Sequence, residues 1–165
     1  MTDKSLQKKA KHEVGKNFRS IVTELEEELT KAADGKNIIV GTKDKPIVTD
    51  SIELPIEHFF MEGVYVRKMI MREGVTVIGA IHKHLHMCFL TEGHLLVADE
   101  LGSKEYKAPC HIIATPGIKR VLHALEESVW YNTHMNPTNT NNVDEIEKNT
   151  VAVNYKEYDN YNKNK

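Results

Sequence analysis

Between Ile38 and His134, apolar and polar residues alternate in short runs divided by glycine-bearing turns. A period of two marks strands that lay one face on a core. The runs are Ile38–Val40, Ile47–Thr49, Val64–Met71, Val75–Thr91, His94–Ala98, a stretch around Tyr106, His111–Thr115, Arg120–Leu125 and Val129–His134, broken at Gly74, Gly93, Gly102 and Gly117. Glu92-Gly93, between two strong runs, reads as a hairpin turn. Many short strands at close spacing predict a sandwich or small barrel rather than β-α-β units. Ahead of them, Val14, Phe18, Ile21, Val22, Leu25 and Leu29 follow helical spacing, so one stripe of an N-terminal helix is apolar and needs cover from the core or a second subunit. Asp34-Gly35 supplies its stop, and the acidic residues Glu24, Glu26, Glu27 and Glu28 read as a solvated face. After Asn136-Pro137 the chain turns rich in Asn and Thr. Val143–Lys148 reads as a short helix and the final NYKEYDNYNKNK as a mobile tail. The expected organisation is an N-terminal amphipathic helix over 1–35, a β domain over 36–136 and a polar, partly mobile extension over 137–165.

Composition narrows the function classes. The chain has 165 residues, 40% hydrophobic and 28% charged, with a formal net charge of −2. That suits one ordinary domain and offers no global attraction to DNA, RNA or membrane. No run is long and apolar enough to span a bilayer, and the polar N-terminus lacks the apolar centre of a secretory signal. Two cysteines, Cys88 and Cys110, make no disulfide framework and read as buried free thiols in a reducing compartment.

The candidate chemistry sits in Ile81-His82-Lys83-His84-Leu85-His86. If one strand runs through it, His82, His84 and His86 share a face with Cys88 and Leu90. Three imidazoles on one face suit a metal or an anionic ligand. Alternate side chains of one strand are roughly parallel and about 6–7 Å apart, so they converge poorly without a bend. Cys88 shares this face, but nothing in the sequence places an electropositive group to activate it.

The motifs resemble the cupin pattern. Gly79-Ala80-Ile81-His82-Lys83-His84 resembles the opening of its first motif, and Phe89-Leu90-Thr91-Glu92-Gly93-His94-Leu95-Leu96-Val97 its ending. Ala114-Thr115-Pro116-Gly117-Ile118-Lys119-Arg120 resembles the second motif. The resemblance covers roughly residues 60 to 134 and implies a mainly β fold, a cupin-like jelly roll (double-stranded β-helix). Two departures stand out. No carboxylate lies between His86 and Thr91, where a metal-binding cupin has one, and Arg120 stands where such a cupin has its last histidine. A guanidinium offers no lone pair to a metal but fits carboxylate or phosphate oxygens.

A narrower resemblance joins IHKHLH, TPGIKR and HALEESVWYNTH to a phage-encoded cupin-like family associated with anti-CBASS sponge proteins. It implies a counter-defence protein that binds a cyclic dinucleotide or oligonucleotide immune signal without cleaving it, in the cytoplasm of an infected bacterium. In that reading the chain is a homo-oligomer and not an enzyme, and it carries no cofactor and no metal. The expected ligand contacts are His82, His84, His86 and His134 to phosphate or base edges, Lys119 and Arg120 to phosphate, and Trp130 or Tyr131 to a stacked base. The alternative is a metal-dependent cupin enzyme with His82, His84, His86 and His123 as ligands. A structural phage protein is the third reading.

Overall fold

The computed structural model describes residues 3–33, 38–40, 54–100 and 102–165, with backbone alone for 3–16 and 38–40. The run Ile47–Thr49 and the helix stop at Asp34-Gly35 lie outside the described residues. A long helix, α1 (Asp3–Ala32), is followed by strands β1 (Ile38–Val40), β2 (Ile56–Met61), β3 (Gly63–Met71), β4 (Thr76–Ile78), β5 (Ile81–His82), β6 (His86–Glu92), β7 (His94–Asp99), β8 (Gly102–Lys107), β9 (Cys110–Ala114), β10 (Val121–Ala124) and β11 (Ser128–Asn136). The chain ends in α2 (Val143–Thr150), β12 (Val151–Ala152) and α3 (Tyr155–Lys163).

Two five-stranded sheets face each other, one ordered β1-β4-β10-β7-β8 and the other β2-β3-β11-β6-β9. Among the described residues, every pairing in these sheets is antiparallel except β1 with β4. This is a cupin-like jelly roll. The alternation read from the sequence has its counterpart in β3, where Tyr65, Arg67, Met69 and Met71 turn inward while Val64, Val66, Lys68 and Ile70 are half-exposed. Met69, Val77, Cys88, Leu90, Leu95, Val97, Leu122 and Trp130 meet between the sheets. Burying each large apolar side chain is worth roughly 1.5–3 kcal/mol, so this layer supplies most of the driving force for folding.

Several local expectations change. Glu92-Gly93 makes no hairpin. It joins β6 in one sheet to β7 in the other, and Gly93 holds φ +84° with the Glu127 carbonyl and Ser128 where a Cβ would stand. Ile56–Met61, which the periodicity did not single out, is an edge strand on β3. Nor is the terminal tail free chain: α3 packs Tyr158 onto Ile81 and Ala152, and β12 pairs with β5.

The N-terminal stripe is only partly covered. Val22 is buried, whereas Ile21 and Leu25 remain exposed. Polar contacts dock α1 instead. Lys119 Nζ donates to both Glu26 carboxylate oxygens at 2.7 and 2.6 Å, and Arg19 reaches Asp159 at 3.2 Å while stacking over the Tyr155 ring. Glu26 is therefore a docking residue rather than part of a solvated face. Among the described residues, no helix is long and apolar enough to cross a membrane.

Candidate functional site

The strand expected to carry three histidines on one face is broken. β4 ends at Ile78, β5 is only Ile81–His82, and the chain bends at Lys83-His84 before β6 starts at His86. The bend is held from outside the strand. Lys83 N–H donates to the Thr150 carbonyl at 2.8 Å, and its Nζ donates to the Lys148 carbonyl at 2.7 Å and lies 3.4 Å from Glu157. His84 is drawn the same way, its Nε2 lying 3.0 Å from the Asn149 carbonyl and its ring meeting the Tyr161 ring edge-on. The C-terminal segment thus takes His84 out of the set.

The bend also brings His82 and His86 together. Residues four apart on an extended strand stand about 13 Å from each other, yet these two ring centroids are 4.0 Å apart. His134, inward-facing on β11, completes the group, with its ring 5.2 Å from His82 and 4.7 Å from His86. One nitrogen from each of the three lies within 4.8 Å of the others. Nδ1 of His82 and Nε2 of His86 are buried with no hydrogen-bond partner.

Burial pushes all three imidazoles toward the neutral form. It lowers His86 from 6.5 to about 4, against the opposing effect of the hydrogen bond to the His84 carbonyl. His82 and His134 are lowered well below the ordinary histidine range by the same desolvation, reinforced by the neighbouring imidazoles and Arg67. A neutral imidazole without a partner presents a lone pair, the form in which histidine binds a metal. Nitrogens bound to one ion at 2.0–2.1 Å stand roughly 3–3.4 Å apart, so closing from 4.8 Å requires small ring rotations. The residues present therefore fit a three-histidine metal centre.

Beside this group lies a cavity lined by Arg67, Arg120, His82, Asn132 and an apolar wall that includes Leu122 and Trp130. At about 50 Å³ it has room for a few waters, each needing roughly 10–15 Å³ on this measure. Trp130 is a buried wall residue whose Nε1 donates to Asn132 Oδ1 at 3.1 Å. Cys88 donates from Sγ to the same oxygen at 3.2 Å, and burial pushes its thiol up to about 11, so it makes a poor nucleophile.

The remaining sequence-marked residues are dispersed. Lys119 is occupied by Glu26. Tyr131 lies on the face of β11 opposite Trp130, across from Lys68 and Phe89. His123 is on β10, where its Nδ1 sits 2.8 Å from Thr76 Oγ1, outside the histidine group. Arg120 faces the cavity, its Nε 3.6 Å from Asp99 and its Nη1 directed at Cys88 Sγ. Arg67 was not singled out in the sequence. Its signal was there: a charged residue at an inward position, between Tyr65 and Met69 in an alternating strand.

No protein-family model and no curated protein matches the chain. Among solved structures it is similar to salicylate 1,2-dioxygenase from Pseudaminobacter salicylatoxidans, at 9% identity and TM-score 0.47 over 53% of this chain and 27% of the dioxygenase. It is also similar to an RmlC-like cupin from Shewanella frigidimarina, at 14% identity and TM-score 0.46 over 58% of this chain and 88% of that one. KdgF from Halomonas sp. is similar at 11% identity and TM-score 0.47 over 53% of this chain and 83% of that one.

Proposed function

We propose that the protein is a metal-dependent cupin in which His82, His86 and His134 hold one divalent ion beside a small, partly apolar cavity. The observation that carries this reading is the convergence of three neutral imidazoles from β5, β6 and β11, two of them with buried, unpartnered nitrogens. Such an ion, when bound, would supply Lewis acidity and open positions for water, dioxygen or substrate. The chain's own contribution is to hold the imidazoles neutral, to exclude bulk water with Trp130 and Leu122, and to present the N–H groups of Arg67 and Arg120 to whatever enters.

The test is metal stoichiometry on stripped, reloaded and desalted protein, using Zn²⁺, Co²⁺, Mn²⁺ and anaerobic Fe²⁺. The expected result is about one ion per chain, abolished in His82→Ala, His86→Ala and His134→Ala and retained in His84→Ala. Folded wild-type protein that takes up none of these ions would sink the proposal. So would His84→Ala losing as much metal as the other three.

Sequestration of a cyclic nucleotide signal by a phage protein is the second reading, favoured by Arg120, whose guanidinium faces a cavity. Against it, drug-sized ligands need roughly 300–1,000 Å³, far more than this cavity encloses, and Lys119 is already paired with Glu26. Calorimetric titration with a panel of cyclic nucleotides separates the two readings. Tight binding by metal-free protein, lost in Arg120→Ala and with the ligand recovered intact, would favour sequestration.

A further inference from the structure

Arg67 and Arg120 approach one cavity from opposite sheets, β3 in one and the turn before β10 in the other. Both are more than nine-tenths buried, at 7% and 8% exposure. Arg67 Nε and Nη1 are buried without a hydrogen-bond acceptor, and the buried Arg120 Nε has only the Asp99 carboxylate, at 3.6 Å and beyond hydrogen-bond distance. Burying a guanidinium is costly, and leaving its donors unmatched adds to that cost. Two such residues side by side, in a cavity otherwise walled by Leu54, Ile56, Met69 and Val77, make a site in want of acceptor oxygens.

We infer that this cavity binds the carboxylate of a small, singly charged organic acid, with Arg67 and Arg120 as its two donors. Planar N–H pairs match the planar, two-oxygen carboxylate. Charge favours a monoanion over a dianion: Asp99 lies 3.6 Å from Arg120 Nε, and the field of Glu147 reaches Arg67, so the two positive charges are already partly offset. Size favours a short chain, because about 50 Å³ holds a few non-hydrogen atoms. The apolar wall suits its hydrocarbon part. His82 belongs to both the cavity lining and the histidine group, so the acid would lie against the proposed metal centre. The inference deepens the metal-dependent reading by naming its substrate class, but the arginine site itself does not need the ion.

The test follows the arginine Nε–H resonances of metal-free, uniformly ¹⁵N-labelled protein during titration with propionate, propionamide and inorganic phosphate. Assignments come from Arg67→Lys and Arg120→Lys. Propionate is expected to shift both resonances in a saturable way, with neutral propionamide shifting neither and phosphate binding at least ten-fold more weakly. Each Lys variant should lose about ten-fold or more in propionate affinity. The wild-type titration stands alone if a variant fails to fold. Unmoved resonances at saturating propionate would overturn the proposal, as would equal shifts with propionamide or tighter binding of phosphate. Repeating the titration with His134→Ala separates the two claims: propionate binding that persists there supports the arginine site even if no metal is ever found, and binding lost there with the fold intact would place the anion elsewhere.

Discussion

His86 is where burial has its most measurable consequence. Its folded-state value of about 4 lies below the ordinary 6.5, so between those pH values the unfolded chain carries a proton that the folded chain does not. Stability is therefore full above pH 6.5 and is lost as pH falls toward 4. The loss from this group alone is about 3 kcal/mol, and His82 and His134 act in the same direction. Urea denaturation of metal-free protein from pH 7.5 to 5 should show the midpoint falling steadily below 6.5, with His84→Ala following the same curve. Stability that rises on acidification would mean that these rings are charged and paired, and that the site is not a set of neutral ligands. His84 also shows where residue-level reading stops. It is chemically identical to its neighbours, and a carbonyl at Asn149 decides that it stands outside the group.

At the scale of elements, the pairing of β5 with β12 and the turn at Gly117 act together on His82. The Gly117 N–H donates to the His82 carbonyl at 2.7 Å, and the His82 N–H reaches the Ile118 carbonyl at 3.3 Å. Gly117 holds φ +86°, with Tyr158 ring atoms 2.7–2.8 Å from where a Cβ would be. Gly117→Ala should thus cost more than the roughly 1–2 kcal/mol of a left-handed backbone alone, because Tyr158 must also move. Gly74→Ala, at φ +82° with nothing near its would-be Cβ, is the control that carries the backbone cost only. Thermal melts of both, with Tyr158→Ala added to Gly117→Ala as a cycle, measure the difference. Equal losses at the two glycines would remove Tyr158 from the argument. On α1, Glu26→Gln should cost about 1.5–3 kcal/mol, since it leaves the buried Lys119 ammonium without its carboxylate. Chemical denaturation beside Glu27→Gln, on the exposed side, checks it.

For the whole molecule, the C-terminal segment is the part that turns a jelly roll into this particular site. Removing residues 143–165 would uncover Ile81, unpair β5 and release the bend at Lys83-His84. The two five-stranded sheets share no strand with that segment. The truncated chain should keep its β-sheet circular dichroism but lose most of its metal uptake. Undiminished uptake would show that the bend forms without the segment. Much of this architecture was legible in the one-dimensional pattern. Alternation at Tyr65-Arg67-Met69-Met71 marks an inward face, the glycines mark most of the turns, and the order of cupin-like motifs implies the jelly roll. His82, His86, His134 and Arg120 were recognisable as chemistry-bearing residues for the same reason, since side chains of that kind stand out in apolar runs. Which of them meet was not legible. Periodicity gives the face a residue occupies but not the partner brought to that face from elsewhere in the chain. The bend that joins His82 to His86 and expels His84 depends on hydrogen bonds from Lys83 and His84 to the carbonyls of Lys148, Asn149 and Thr150. The pairing of Arg67 with Arg120 depends on two sheets closing over one core. Contacts between segments this far apart in sequence leave no local pattern, so only the tertiary structure decided them.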